Sequence, residues 1–407
     1  MNNFFFKCIV CEKEFDRSEV SYTCPACGNN LEVLYDYIKV LKQFLFFSTT
    51  GKYAGLIWKY LPFLPLKEDE VINKICIYHT PLVKSINIQP NLGIKGLKLF
   101  FKDDTKLPSG SLKDRASAVV AAYALQNKKE KIITASTGNA GCALACISAM
   151  VGVKPLIVVP RSAPEAKLVQ ITVYGAEIIK YNGSYDECFE YVLKLCEKHK
   201  SYFNRSTGVN PFTREGKKTV SLEIWEQLGN KVPDFIFVPV GDGNIISGVW
   251  KGFKDLYFCG LIKVMPRLIA VQSTGSNSIS LTFSEIKQKL KGGHKLSELL
   301  SVIKLKKVKS KTLADSISVD LPRDGYAAIK AVFESCGDVV EVTDKEIVSA
   351  IKLLASKEGI FAEPAAAASF AGFLKYSITH RRVLENKKVV VLITGHGLKD
   401  ISAISKN

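Results

Sequence analysis

Lys113 stands in the run Pro108-Ser109-Gly110-Ser111-Leu112-Lys113-Asp114-Arg115, where small residues that read as a tight turn lead into an Ala-rich helical segment. An amine placed there suits Schiff-base chemistry, although a lysine paired with Asp114 at a helix start would look the same. A second run, Val240-Gly241-Asp242-Gly243-Asn244-Ile245-Ile246-Ser247-Gly248, follows the apolar segment Phe235 to Val240 and precedes a helix-like one. In that arrangement backbone N–H groups gather around a phosphate. An amine for an aldehyde and a nest for a phosphate together describe a site for pyridoxal 5′-phosphate (PLP).

A separate chemistry is written near the start. Cys8-Ile9-Val10-Cys11 and Cys24-Pro25-Ala26-Cys27-Gly28 are separated by a dozen residues. Each pair is a turn able to present two thiolates to one metal, with Gly28 supplying a left-handed position, and a Cys₄ zinc site is the natural product. A closed four-thiolate site has no open position, so its role is structural. The metal would replace a core that some thirty residues cannot supply. The competing reading is a pair of chance turns, or a degenerate ribbon that no longer holds metal.

Four runs occur in a fixed order: Ser109 to Arg115, Ser136-Thr137-Gly138-Asn139, the Gly241 loop, and Thr394-Gly395-His396-Gly397-Leu398-Lys399-Asp400. In these runs the chain resembles the threonine synthases, within the tryptophan-synthase-β-like (fold type II) PLP enzymes, from about Thr80 to Asp400. Thr312 to Ile317 and Gly359 to Ala367 are similar to that family as well. The resemblance implies that Lys113 carries the cofactor as a Schiff base and then moves protons on the substrate. Desolvation would favour its neutral form. It implies that the Asn139 amide meets the ring oxygen, while Ser136, Thr137 and the following helix N-terminus receive the substrate carboxylate, with Ser111 and Gly138 also substrate-binding. A plain helix cap would use the same residue types. Gly241, Asp242, Gly243, Asn244 and Ile245 would bind the cofactor phosphate through backbone N–H groups. Asp242 is awkward there, because an acid at such a nest is repulsive unless it points outward. Thr394 would face the pyridine nitrogen, and His396 reads as a turn residue.

One stretch departs from the family: Thr207-Gly208-Val209-Asn210-Pro211-Phe212-Thr213-Arg214-Glu215-Gly216-Lys217-Lys218-Thr219. Gly208 stands where a serine is usual and Thr213 where an arginine is usual. Arg214, one place late, and Lys218 are the cations left for a substrate phosphate. The expected activity is conversion of O-phosphohomoserine and water to threonine and phosphate. Replacement or elimination on another amino acid such as O-phosphoserine stays open, as does a non-catalytic sensor or scaffold.

The elements that must position these groups alternate. Leu97 to Lys102, Lys131 to Thr134, Pro155 to Val159, Glu177 to Tyr181, Phe235 to Pro239, Arg267 to Val271 and Val389 to Thr394 read as strands. Amphipathic segments such as Ser184 to Lys200 and Lys217 to Leu228 lie between them. Strand–helix alternation predicts an α/β fold with mostly parallel sheets covered on both faces. Leu31 to about Asn73 reads as a helical connection. The expected division is a zinc-ribbon-like module over 1–33 and a catalytic region over 34–407. The resemblance implies a smaller subdomain near 113–203, the cofactor in a cleft, and a homodimer.

Composition narrows the class. A chain of 407 residues with 47% hydrophobic and 23% charged residues is an ordinary globular protein. Its formal charge of +17 is spread along the chain and densest at Lys287 to Lys311, where Lys alternates with Leu, Ile and Val. A solvated helix face or insertion explains that better than a nucleic-acid or membrane partner, and a small-molecule amino-acid substrate is expected. The eleven cysteines are paired only near the start, a pattern of reducing compartments rather than of a disulfide framework. The apolar stretch from Phe44 to Leu66 is interrupted by Lys52, Lys59, Gly51, Gly55 and Pro62, too often to span a bilayer. A cytoplasmic enzyme is the expectation.

Overall fold

The computed structural model describes residues 4–19, 22–401 and 403. The chain divides into two compact units: Met1–Cys8, Lys13–His79 and Leu107–Thr219 in the first, and Ile9–Glu12, Thr80–Lys106 and Val220–Asn407 in the second.

The first unit holds a four-stranded parallel sheet in the order Glu177–Tyr181, Leu156–Pro160, Lys131–Ala135, Tyr202–Asn204. The inner strands Lys131–Ala135 and Leu156–Pro160 are short and mostly buried. Ser184 opens the helix Tyr185–Lys198 with a reciprocal capping box to Glu187, and Cys188, Phe189 and Val192 bury against Ile133 and Val158. The helix Lys113–Gln126 is buried along nearly its whole length, which its run of Ala, Ser and Val permits.

The first unit also carries a three-stranded antiparallel sheet in the order Glu14–Asp16, Phe4–Cys8, Leu31–Tyr35. The last of these strands corrects the reading of Leu31 onward as helical connection. Leu31, Val33 and Tyr35 alternate buried with half-buried neighbours, so the local period is two, and the pairing partner lies more than twenty residues earlier. Helix begins only at Tyr37, with Asp36 accepting from the Lys39 N–H, and ends at Gly51 in the left-handed region.

The second unit is built on a six-stranded sheet in the order Asp338–Val342, Arg267–Ser273, Phe235–Pro239, Lys388–Ile393, Lys98–Asp103, Leu82–Lys84. Only the Leu82–Lys84 edge is antiparallel. Phe235–Pro239 is buried at every position, the mark of a central parallel strand covered on both faces. The helix Pro364–Thr379 packs Phe370 and Phe373 against Phe101 and Phe237. The α/β class is as expected, and each strand read from the sequence is present to within two residues at either end. The strands Tyr202–Asn204, Asp338–Val342 and Leu82–Lys84 had no clear pattern.

The lysine-rich segment forms the end of the helix Ser278–Lys291, the helix Leu296–Val302 and an extended run with exposed lysines. None of the described cysteines forms a disulfide. Among the described residues no helix is long and apolar enough to cross a membrane.

Candidate cofactor and substrate site

In the first unit Lys113 opens its helix half-buried, on a turn made by the Gly110 N–H donating to the Leu107 carbonyl. Gly110 has φ +80°, a left-handed conformation that side chains resist. Asp114 is fully buried and accepts from the Ser109 N–H at 2.7 Å, which folds the turn back onto the helix start. Ser111 is 1% exposed, and its hydroxyl finds no hydrogen-bond partner among the described residues. A buried hydroxyl left unmatched two residues before Lys113 suits a polar ligand.

Ser136, Thr137 and Gly138 follow the carboxyl end of Lys131–Ala135, and Asn139 begins the helix Asn139–Met150. The Ser136 hydroxyl accepts from the Gly138 N–H at 3.3 Å, holding the turn, and Asn139 is 7% exposed. First-turn N–H groups lie outside the helical ladder, so the end of this helix suits a carboxylate.

In the second unit the loop after Phe235–Pro239 leads into the helix Asn244–Phe258. Gly243 has φ +93°, and a Cβ there would lie 2.7 Å from the Asp324 carbonyl oxygen. A Cβ on Gly241 would lie 2.8 Å from the Ile317 Cα. Glycine is therefore required at both positions by close backbone approach. The Thr312 to Ile317 stretch is the buttress behind this loop, held by Thr312 and Leu313 bonds to the Asp344 carboxylate. This cradle of close-packed backbone fits the phosphate of PLP.

Asp242 does not enter that cradle with its charge. Its carboxylate accepts from the Arg323 N–H at 3.1 Å and lies 4.0 Å from the Arg323 guanidinium. This removes the repulsion expected of an acid beside a phosphate. Thr394, 4% exposed, follows the strand Lys388–Ile393. The Glu363 N–H donates to the Gly395 carbonyl behind it at 3.0 Å. His396 accepts at Nδ1 from the Leu398 N–H, a turn contact. Its pKa is lowered by burial and by Lys106, with Asp103 opposing.

Arg214 and Lys218, expected at a substrate phosphate, both have partners within the first unit. Arg214 is 3% exposed and donates from Nη1 to the Leu31 carbonyl at 2.8 Å. Lys218 is fully buried, ion-paired with Glu215 and 4.5 Å over the Tyr35 ring. The Tyr35 hydroxyl donates to the same Glu215. Both cations fasten the helix Phe212–Lys217 to the strand Leu31–Tyr35. The reason is local: beginning the helix at Phe212 turns positions 214 and 218 toward that strand.

Two organising residues were missed in the sequence. Asp324, 1% exposed, accepts from the Asn244 amide at 2.8 Å and from the Ser247 hydroxyl at 3.0 Å. Arg205, fully buried, follows the strand Tyr202–Asn204 directly. Its one legible signal was position, since sites in such folds gather at the carboxyl ends of strands.

At the N-terminus the ligand atoms of Cys8, Cys11, Cys24 and Cys27 all lie within 4.8 Å of one another. Cys24 accepts from the Gly28 N–H at 2.8 Å, with Gly28 at φ +72° as the knuckle requires. The Asn29 amide lies 3.4 Å from the Cys27 sulfur, the kind of donor that steadies a thiolate.

Residues 74–395 match the family model described as pyridoxal-phosphate dependent enzyme. The chain is 37% identical to the threonine synthase of Methanocaldococcus jannaschii over 98% of its own length and 93% of that protein. It is 34% identical to the threonine synthase of Methanosarcina acetivorans over 98% of its length and 92% of that protein. Among solved structures, maize serine racemase superposes with a TM-score of 0.63 at 26% identity, covering 80% of this chain and 92% of that one. The chain belongs to the fold type II PLP-dependent enzymes and, within them, to the threonine synthase family.

Proposed function

We propose that this protein converts O-phosphohomoserine and water to threonine and phosphate. The observation that carries the reading is the near full-length likeness to threonine synthases. PLP, when bound, supplies a sink for the electrons left on the substrate as its protons are removed. In this reading Lys113 holds the cofactor aldehyde and afterwards moves protons at the substrate Cα and Cβ. The N–H groups of Gly241 to Ile245 hold the cofactor phosphate, with Asp242 turned to Arg323 and Asp324 steadying Asn244. Asn139 orients the ring, and Thr394 meets its nitrogen. Ser136, Thr137 and the helix start after them receive the substrate carboxylate, and Ser111 and Gly138 complete the substrate contacts. The γ C–O bond breaks, water adds its hydroxyl at Cβ, and protons return at Cγ and Cα.

The Cys₄ cluster is read as a structural zinc site, supported by its spacing and by the closeness of its four sulfurs. A homodimer is carried from the resemblance, and light scattering tests it; a cytoplasmic setting is read from cysteines that lie scattered singly beyond the N-terminal pairs. The activity is tested by phosphate release from O-phosphohomoserine and from O-phosphoserine, with threonine measured as product. Turnover of the first alone supports the reading. Turnover of the second alone moves the protein to another substrate on the same machinery.

A further inference from the structure

Arg205 is buried completely, yet its guanidinium reaches the helix that Lys113 opens. Its Nη2 donates to the Lys113 carbonyl at 3.4 Å, its Nε to the Ser117 hydroxyl at 3.0 Å, and its Nη1 to the Thr207 hydroxyl at 3.1 Å. Lys113 and Ser117 are four apart, so one planar fork clips the first turn of the helix from beneath. The Thr207 contact ties that turn to the loop running to Asn210, whose amide in turn donates to the Asn204 carbonyl at 2.6 Å.

Burying a guanidinium is costly unless its donors are matched, and an ion of this kind is a weak source of net stability. Burial pushes its pKa down to about 10, with Asp114 opposing, so it stays charged at neutral pH. What the fork does supply is direction: three acceptors on two segments fix where the Lys113 backbone sits.

We propose that Arg205 is a positioning residue that sets the launch geometry of the Lys113 amine toward bound PLP and substrate. The inference rests on the reading of Lys113 as the cofactor-bearing lysine.

The test uses the full chain loaded with PLP, comparing the parent with Arg205→Lys, which keeps the charge facing Asp114 and loses the fork. The readouts are visible circular dichroism of the lysine-bound cofactor at saturation, kcat and KM, and the thermal midpoint of the cofactor-free protein. The expected result is a dichroic signal cut by about half or more and kcat down about tenfold or further, with KM within about threefold. The thermal midpoint should stay within about 5 °C. Dichroism and kcat within about twofold of the parent would overturn the proposal, whatever the thermal midpoint does. If Arg205→Lys does not fold, Ser117→Ala removes the Nε acceptor with little loss of bulk. A fall of about threefold or more in kcat together with altered dichroism supports the proposal, and no change in either overturns it. A parent protein lacking any Lys113-dependent visible absorption defeats the reading of Lys113 itself, and the proposal falls with it.

Discussion

The Gly241 loop and the Lys113 turn are held by opposite means. Around the Gly241 loop the constraint is steric: Ile317 and the Asp324 carbonyl come so close that a Cβ on Gly241 or Gly243 does not fit. Around Lys113 it is electrostatic and long-range, built from Asp114, Arg115, Arg205, Thr207 and Thr219, all charged or hydroxylic and mostly buried. Close backbone approach dictates residue type and leaves a signature in a single run of sequence. A buried ion network dictates only that partners exist somewhere, and its members are scattered over a hundred residues.

The strongest way to break this contrast is at the amine. Lys113→Ala should lower turnover by about a thousandfold or more and abolish the visible absorption of lysine-bound cofactor, while the protein remains folded. Residual turnover near the parent level would remove Lys113 from the chemistry. Gly243→Ala comes next. With φ at +93° and a carbonyl 2.7 Å from the new Cβ, cofactor affinity should fall about a hundredfold by equilibrium titration. A change under about twofold would mean that the cup is not sterically set.

Glu215→Ala removes the ion-pair partner of the fully buried Lys218 and an acceptor of the Tyr35 hydroxyl. It should cost about 3 kcal/mol in denaturant unfolding. Arg214→Gln, in the same packing, should lower the thermal midpoint by a few degrees yet leave KM for O-phosphohomoserine within about threefold. A large KM change would return Arg214 to the substrate.

The smallest effect is with pH. Burial alone would raise the Glu358 pKa, but bonds from the Ser85 hydroxyl and the N–H groups of Ile88, Ile86 and Asn87 outweigh it and hold the carboxyl lowered. A folded-state pKa below the unfolded one gives stability that is present above the unfolded carboxylate value and lost as pH falls through the folded one. Glu358→Gln should therefore flatten part of the acid limb of stability and leave the neutral limb's slope unchanged.

Much of the fold was legible because parallel strands such as Phe235–Pro239 and Lys388–Ile393 are continuous apolar runs, and helices such as Tyr185–Lys198 announce their caps. Lys113, Asn139, Gly241 and Thr394 stand out in the sequence because they sit in short runs at element ends. Leu31–Tyr35 was misread because five residues of Leu-Glu-Val-Leu-Tyr suit either period, and the choice is made by Phe4–Cys8. Arg205, Asp324 and Glu215 had no local pattern, since their partners are set by tertiary packing. The same packing drew Arg214 and Lys218 to the strand Leu31–Tyr35, a contact between segments nearly two hundred residues apart.

The central claim is that the γ C–O bond breaks and water enters at Cβ. Turnover of O-phosphohomoserine in heavy-oxygen water, followed by mass spectrometry of both products, tests it directly. The account predicts one heavy oxygen in the threonine side-chain hydroxyl and none in the released phosphate. Heavy oxygen in the phosphate, with homoserine as the other product, would show simple phosphoester hydrolysis and contradict it.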